Sequence, residues 1–349
     1  MKVECTTRSI PCRGHRTTSL CGPDRGFVPG KPIAVNVPGS IAVYRSGAVG
    51  DVIVMLPVLQ ALREAWPPAR ITLVAPSEVG NLALVSGWAD RLFSPESAWV
   101  RRWFTGDAAQ VRSALGEVDA LLAFTNDTDG ELERTARLAG IREVLIHRPF
   151  PPNDAPVHMT DYLLSALQPW GITRRGMSPL IRLSDEMIAA GRAVLARSGI
   201  APEARFVVVH TGSSTQSKNW PDMPRFVALV TERLSVPVLL QRGPVEAERG
   251  IGDEWPSEAP LVGPLPLGTL AGLLSLALAY VGNDAGPSHL AAALGVPTVT
   301  VFGRRPGGGT SATQWSPRGP RAHHVVPEGG SAWPSVEAVL KQVLDALGW

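Results

Sequence analysis

The sequence predicts an α/β protein made of two Rossmann-like halves whose parallel sheets face each other across a cleft. Strand-like apolar runs alternate with helix-like segments before and after a polar connector at residues 171–179 (GITRRGMSP), and such alternation is typical of βαβ units. Residues 296–302 are apolar and partly β-branched, as in strands that are buried on both faces. The length of 349 residues also fits two domains.

The first half is expected to contain four strands with helices between them. Strands are predicted at residues 41–44, 71–75, 119–124 and 144–146, and helices at residues 52–66, 77–86, 131–138 and 157–170. Pro57 should kink or break the first of these helices, because proline lacks a backbone donor.

The second half repeats the pattern after the connector. Helices are predicted at residues 184–197, 222–234, 267–276 and 287–294, and strands at residues 206–210, 236–240, 280–282 and 296–302. Residues 335–347 have the spacing of an amphipathic terminal helix.

These elements set the predicted domains. Residues 1–39 are rich in Arg, Thr, Gly and Pro without periodicity and are expected to form a poorly ordered extension. We predict an N-terminal Rossmann-like domain at residues 40–172, a C-terminal one at 173–334 and a terminal helix at 335–349. All three cysteines, Cys5, Cys12 and Cys21, lie in the extension near His15. Because no C-x-x-C pair is present, we favour reduced thiols over a zinc site and predict no metal.

Composition argues against several classes of function. The formal net charge of +2 gives no bulk attraction to nucleic acid. The most apolar run, residues 270–281, is interrupted by Gly272 and Ser275 and is shorter than the roughly 20 residues of a membrane span. No secretory signal is visible at the N-terminus, so we expect a cytoplasmic protein.

Ligands of such sheets bind beyond the carboxyl ends of the strands, which makes four loops the candidate sites: residues 46–51, 211–218, 241–246 and 283–289. Asp51 closes the first of these loops and opens a helix. Two interpretations remain open from the local sequence. Asp51 is either a plain helix N-cap or a general base that projects into the cleft.

The loop at residues 211–218 (TGSSTQSK) is suited to phosphate. Thr211, Ser213 and Ser214 bring hydroxyl and backbone N–H groups, and Lys218 brings a positive charge. The alternative is a solvated turn with one surface lysine. The P-loop spacing is absent, and neither half contains G-x-G-x-x-G.

Residues 283–289 (NDAGPSH) read as a tight loop followed by a helix. Pro287 suits the first helical position, and the N–H groups and positive end of a helix attract phosphate. The backbone and side chains of Ser288 and His289 are therefore candidates to hold a diphosphate. The alternative is an ordinary strand-to-helix turn with a core histidine.

Two further features of the first half have structural interpretations. Asp127 and Asp129 form a D-x-D pattern, which we interpret as a loop and helix cap rather than a metal site. A scatter of arginines forms either a solvated face or a contact with an anionic acceptor: Arg101, Arg102, Arg112, Arg134 and Arg137.

Taken together, three segments resemble the signatures of glycosyltransferase family 9, the ADP-heptose:lipopolysaccharide heptosyltransferases. In chain order they are RSGAVGDVIVMLPVLQALREAWPPARITLVAP, HTGSSTQSKNWPDMPRFVALV and VGNDAGPSHLAAALGVPTVTVFG. Residues 261–279 also fit, and the resemblance covers about residues 41–347.

The resemblance implies a GT-B fold with the acceptor on the first domain and the nucleotide-sugar on the second. It implies an inverting glycosyltransferase that needs no metal or cofactor and moves heptose, or a similar sugar, from ADP-heptose to a lipopolysaccharide core or related glycan acceptor. By position, Asp51 takes the catalytic-base role with Gly50 beside it on the acceptor side, and Lys218 contacts the diphosphate. The donor-binding loop then consists of Asp284, Gly286, Ser288 and His289. The resemblance also implies a cytoplasmic location with peripheral contact to the inner membrane.

The sequence departs from the family pattern at three points. Ala285 replaces the usual hydroxyl residue, Gln241-Arg242 precedes Gly243 where small residues are common, and residues 304–310 are Gly-rich. These departures leave the nucleotide preference open. One alternative is a GT-B transferase for another nucleotide-sugar. The other is a non-catalytic nucleotide-binding homologue, against which the retained Asp51 and Lys218 argue.

Overall fold

Two parallel β-sheets, one in each half of the chain, confirm the predicted α/β class. The computed structural model describes residues 38–152, 155–201, 203–253, 255, 258–305 and 311–349. Within these residues the first sheet has five strands and the second has six, and neighbouring strands are parallel. Residues 1–37 of the predicted extension, with its three cysteines and His15, lie outside the described residues, as do residues 306–310 of the Gly-rich loop.

The strands come in two sets. The first sheet contains β1 (Ser40–Arg45), β2 (Arg70–Val74), β3 (Arg91–Phe93), β4 (Ala120–Phe124) and β5 (Glu143–His147). The second contains β6 (Val207–His210), β7 (Val238–Gln241), β8 (Leu261–Val262), β9 (Ala279–Asn283), β10 (Thr298–Val301) and β11 (Ala322–Val325).

Helices connect these strands throughout. In the first half they are α1 (Val49–Ile53), α2 (Leu56–Ala65), α3 (Ser77–Val85), α4 (Ala98–Arg101), α5 (Ala108–Leu115), α6 (Glu131–Leu138) and α7 (Met159–Ser165). In the second half they are α8 (Asp185–Arg197), α9 (Met223–Arg233), α10 (Pro244–Glu248), α11 (Leu267–Ser275), α12 (Gly286–Ala293), α13 (Ala312–Trp315) and α14 (Val336–Leu347). Short 3₁₀ turns occur at Arg102–Phe104, Gln168–Trp170 and Gln216–Lys218.

The strand order places a crevice at the middle of each sheet. The first sheet runs β3-β2-β1-β4-β5, and the second runs β11-β10-β9-β6-β7-β8. The first sheet therefore winds outward from β1, through β2 to one edge and through β4 to the other. The second sheet winds outward from β6 in the same way, through β7 to one edge and through β9 to the other. Ligands of doubly wound sheets bind at this reversal, beyond the carboxyl ends of the strands. The loops that follow β1, β4, β6 and β9 are thus the ones that a ligand should meet.

One apolar cluster joins the two halves. Val52 of α1 and Leu56 of α2 belong to the same buried cluster as Leu270 of α11 and Leu290 of α12. On the other face of the second sheet, α9 and α14 cover a separate cluster that includes Val227. Because α1 and α12 both follow a central strand, the shared cluster brings the two crevices together.

Several local predictions need correction. The helix expected at residues 157–170 is wrong as one element: α7 ends at Ser165 and a 3₁₀ turn follows at Gln168–Trp170, where Pro169 cannot donate a helical hydrogen bond. Ala48, not Asp51, is the N-cap of α1, and Pro287 is the second helical residue rather than the first. By contrast, the break expected at Pro57 is confirmed by the separate helices α1 and α2.

Candidate active site

A cavity of about 530 Å³ lies where the carboxyl ends of the two sheets meet. Most of the predicted site residues line it, and they come from loops that are far apart in the sequence: Gly50, Asp51, Ser213, Ser214, Lys218, Asp284, Gly286 and His289. Thr211 and Ser288 are the two predicted residues that do not line it.

Asp51 is the third residue of α1 and lies on the wall of this cavity that the first half of the chain forms, the first-half wall. Its Oδ2 accepts a hydrogen bond of 2.9 Å from the Ala48 N–H, which satisfies a free donor at the helix start. Gly47 adopts a φ of +132°, and a Cβ there would lie 2.6 Å from Asp51 Oδ2. A glycine therefore lets the loop close over the carboxylate, while the Asp51 side chain keeps 18% exposure.

Arg45, which the sequence reasoning missed, lies beneath Asp51 at the end of β1. Its side chain has no solvent exposure, and its Nη2 lies 3.7 Å from Asp51 Oδ1. Nε donates to the Asp51 carbonyl at 3.3 Å, and Nη1 donates to the Pro149 carbonyl at 2.8 Å. The guanidinium also lies 5.0 Å from the Phe150 ring centroid, within cation–π range. A charged residue that ends the apolar strand IAVYR was the available sequence signal.

Lys218 lies on the opposite wall, held by a carboxylate. Its Nζ is 2.9 Å from Asp284 Oδ2, and the buried Ser311 hydroxyl donates to the same oxygen at 2.9 Å. The Lys218 side chain keeps 40% exposure. Asp284 therefore fixes the lysine at the cavity edge. The sequence analysis expected Asp284 to bind the donor itself and did not predict this contact with Lys218.

Asn283 ties the lysine loop to β9 through the backbone. Its side-chain oxygen accepts from the Trp220 N–H at 2.9 Å, and the residue has no exposure. Asn283, the last residue of β9, and Asp284, the residue after it, thus hold the loop at its backbone and at its Lys218 side chain. The contact joins residues 63 positions apart, so no local sequence signal could reveal it.

The N-termini of α1 and α12 contact each other across the cavity. A Cβ on Gly50 would lie 3.2 Å from His289 Cδ2, and one on Gly286 would lie 3.2 Å from Val49 Cβ. The two glycines therefore allow the close approach of the helices. His289 is buried, and this burial lowers its pKa to about 4. The imidazole is accordingly neutral at pH 7.

Ser288 and Thr211 lie behind the cavity wall. The Ser288 hydroxyl donates to the Asn283 carbonyl at 2.6 Å, and its N–H donates to the Ala285 carbonyl at 3.1 Å. Both donors are occupied in the fold, so the expected side-chain role of Ser288 at a diphosphate does not fit this arrangement. Thr211 is buried too, and no described residue forms a hydrogen bond with its Oγ1.

The far end of the cavity combines an apolar wall with a buried polar group. Leu265, Leu267 and Leu270 form the apolar part. Beside them, His210 Nδ1 lies 2.6 Å from Gln241 Oε1, and burial lowers the pKa of His210. Gln241 is also buried and donates to the Arg242 carbonyl. Gln241, one of the residues that departs from the family pattern, thus stabilises this wall through its hydrogen bonds.

A second cavity, of about 810 Å³, adjoins the first at Phe150. It lies beyond β4 and β5 and is lined by hydroxyl, amide and cationic groups, including Thr125, Asn126 and Arg148. The Asp127 carboxylate accepts from the Leu132 and Glu133 N–H groups, both at 3.0 Å, which confirms its interpretation as a cap of α6. Trp315 stands opposite, with its ring centroid 6.1 Å from that of Phe150.

Two kinds of feature are absent from the described residues. No group of three or more His, Cys, Asp or Glu side chains is arranged to hold a metal ion in that part of the chain. None of its helices combines the length and the apolar character needed to cross a bilayer.

Comparison with known proteins supports a family assignment. The sequence model described as glycosyltransferase family 9 (heptosyltransferase) matches residues 144–337. No curated protein matches the chain significantly.

Solved structures with the same fold cover nearly all of the chain. A family 9 glycosyl transferase from Veillonella parvula has a TM-score of 0.70 at 22% identity, covering 88% of this chain and 97% of that one. The ADP-heptose lps heptosyltransferase II of E. coli has a TM-score of 0.64 at 16% identity, covering 88% and 97%. E. coli heptosyltransferase WaaC with ADP has a TM-score of 0.63 at 17% identity, covering 88% and 99%. These identities are low, so the similarity demonstrates a shared fold.

Proposed function

The chain belongs to glycosyltransferase family 9, and from that premise we propose that it transfers heptose, or a closely similar sugar, from ADP-heptose to a glycan or glycolipid acceptor. The donor would bind on the domain predicted at residues 173–334, and the acceptor on the domain at residues 40–172. The reaction would be a single displacement that inverts the anomeric carbon and requires no metal or cofactor.

One observation carries this proposal: a carboxylate and a cation lie on opposite walls of the same cavity. Asp51 comes from the crevice of the first sheet, and Lys218 comes from that of the second. A glycosyl transfer needs both groups, because the acceptor hydroxyl must lose a proton while the leaving diphosphate gains negative charge. The contact between α1 and α12 keeps the two walls close.

The donor side has a cation beside a helix start. Lys218 supplies a positive charge, and Gly286 begins the eight-residue helix α12, whose first N–H groups and dipole favour anions. Ser213 and Ser214 line the same wall. The nucleoside would occupy the apolar end at Leu265, and WaaC, whose fold is shared, is a heptosyltransferase whose structure contains ADP.

The acceptor side has an accessible carboxylate. Asp51 Oδ1 would accept the proton of the acceptor hydroxyl as its oxygen bonds to the anomeric carbon and the bond to the diphosphate breaks. Lys218 would stabilise the charge that develops on the leaving group. The rest of the acceptor would extend past Phe150 into the adjoining polar cavity.

Donor screening tests this proposal. The full chain is mixed with ADP-heptose, and separately with UDP- and GDP-sugars, with and without lipopolysaccharide core acceptors. We expect acceptor-dependent release of ADP, an inverted product linkage by NMR, and an unchanged rate in EDTA. Use of a different nucleotide-sugar would refute the donor assignment. Rescue of an EDTA-inactivated enzyme by Mg²⁺ or Mn²⁺ would refute metal independence, and nucleotide binding without transfer to any acceptor would favour the non-catalytic alternative.

A further inference from the structure

The buried guanidinium of Arg45 has an incomplete set of hydrogen bonds. Nε and Nη1 each donate to a carbonyl oxygen, those of Asp51 and Pro149. Nη2 is buried and has no hydrogen-bond partner among the residues that the structure describes. Asp51 Oδ1 lies 3.7 Å from it, which is longer than a hydrogen bond. An unpartnered donor on a buried cation is costly, so this arrangement needs an explanation.

A second arginine in the same protein shows what a purely structural pair looks like. Arg318 donates to both carboxylate oxygens of Asp161, at 2.9 and 2.6 Å, in the bidentate geometry that suits arginine. Arg45 does not make such a pair, although Asp51 is within reach. Its Nη2 faces one carboxylate oxygen and leaves that oxygen without a strong donor.

The two oxygens of Asp51 are consequently in different situations. Oδ2 accepts the Ala48 N–H at 2.9 Å and is committed to the helix start. Oδ1 faces the Arg45 cation and keeps its capacity to accept a proton. Because Nε of Arg45 also binds the Asp51 carbonyl, the arginine restrains the backbone and the carboxylate of the same residue.

We propose that Arg45 is a positioning residue that holds the Asp51 side chain with Oδ1 turned toward the acceptor hydroxyl. This inference rests on the proposed function, in which Asp51 is the base. As the acceptor O–H bond breaks, its proton would move to Oδ1 and its electron pair would form the new bond to the anomeric carbon. The bond between the anomeric carbon and the diphosphate oxygen would break at the same time, and the nucleoside diphosphate would leave with the electron pair of that bond.

Substitution of Arg45 tests this role. Arg45→Met removes the charge and keeps an unbranched side chain, whereas Arg45→Lys keeps the charge. We expect Arg45→Met to lower kcat by about 10- to 100-fold with the dissociation constant of ADP changed less than about twofold, and Arg45→Lys to recover much of the loss. Arg318→Met is the matched control. It removes a guanidinium from an ion pair that does not contact Asp51, so it should lower the melting temperature without a selective loss of kcat.

A double-mutant cycle with Asp51→Asn decides whether Arg45 acts through Asp51. If it does, Arg45→Met should change kcat by less than about twofold in the Asp51→Asn background. Equal effects of Arg45→Met in both backgrounds would overturn the inference, and so would full activity of Arg45→Met. Loss of cooperative unfolding in both Arg45→Met and Arg45→Lys would overturn it in favour of a structural role. Near-normal transfer by Asp51→Asn alone would instead refute the proposed base.

Discussion

The two walls of the cavity are built differently. On the second-half wall, Asp284 makes close contacts: its Oδ2 lies 2.9 Å from Lys218 Nζ and accepts from the Ser311 hydroxyl at 2.9 Å. On the first-half wall, Arg45 Nη2 lies 3.7 Å from Asp51 Oδ1 and has no hydrogen-bond partner in the described part of the chain. The close pair holds Lys218 in place, whereas the longer pair leaves Asp51 Oδ1 able to accept the proton of the proposed transfer.

The match to the family follows the same division. It covers residues 144–337, which include Lys218 and Asp284 but not Asp51. The family model thus covers the proposed donor side and not the helix that carries Asp51. The proposed acceptor side adjoins the cavity of about 810 Å³ beyond β4 and β5, where half of the lining, residues 125–128, lies outside that match.

The largest expected effect is that of Asp51→Asn. Asparagine retains the size of aspartate, and its side-chain oxygen can still accept the Ala48 N–H. Its amide cannot accept the acceptor proton, so a general-base contribution of about 10²–10⁴-fold in kcat should be lost. Turnover with saturating donor and acceptor measures the effect.

ADP binding and thermal unfolding of the same variant are the controls. Both should remain close to those of the parent, because the proposed diphosphate contacts come from the second-half wall. Near-normal transfer would return Asp51 to a structural role in α1. Weakened ADP binding by this variant would break the division between the two walls.

The sequence predicted the loops of this site better than the contacts between them. Asp51, Lys218 and Gly286 were identified because each follows a central strand, and strand ends converge in parallel sheets. Arg45 was missed because its partner Pro149 is 104 positions away, and Ser311 because Asp284 is 27 positions away. Ser288 was assigned outward although its hydroxyl binds the Asn283 carbonyl. Local patterns do not encode which side of a loop faces the cavity.

The same limit applies to the fold. Long periodic elements such as α6, α8 and α14 agree closely with their predicted ranges. The short edge strands β3, β8 and β11 were not predicted, since two to four residues carry too little pattern. Their pairing is determined by neighbouring strands rather than by their own side chains.

Lys218→Ala should have the next largest effect, now on the donor side. A hydrogen bond to a charged group typically contributes about 1.5–3 kcal/mol, so donor affinity or rate should fall by about tenfold or more. Calorimetry with ADP and donor kinetics measure the change. The fold should persist, because the lysine side chain is 40% exposed.

Asp284→Asn sharpens the Lys218 experiment. If Asp284 acts by holding Lys218, its substitution should weaken ADP binding less than Lys218→Ala does, and adding it to Lys218→Ala should have little further effect. Arg249→Ala, which removes a bond to the Ser214 carbonyl, serves as a loop control. Unchanged donor kinetics in Lys218→Ala would identify Lys218 as an ordinary surface lysine.

The smallest expected effect is on the pH dependence of the free energy of unfolding. It tests whether His289 on the second-half wall is as well shielded from water as its burial indicates. Burial lowers the pKa of both His289, on that wall, and His158, at the start of α7, to about 4. His158 Nε2 lies 2.8 Å from the Ser316 carbonyl, and its Nδ1 accepts from the Thr160 N–H, an arrangement that requires the neutral ring.

The sign of the pH effect follows from these lowered values. An unfolded histidine binds a proton below about pH 6.5, whereas the folded ones stay neutral down to about pH 4, so the unfolded state gains protons in this window. The contribution of the two neutral histidines to the free energy of unfolding is therefore complete above about pH 6.5 and is lost as the pH decreases toward 4. Each histidine should account for about 2 kcal/mol of the loss between pH 7 and pH 5. Urea unfolding of the parent, His289→Gln and His158→Gln at both pH values measures the two contributions separately, and each variant should lose less stability than the parent.

If His289→Gln loses as much stability as the parent between pH 7 and pH 5, His289 is hydrated in solution and the second-half wall is not shielded from water. His158→Gln still measures the contribution of the contact at the start of α7.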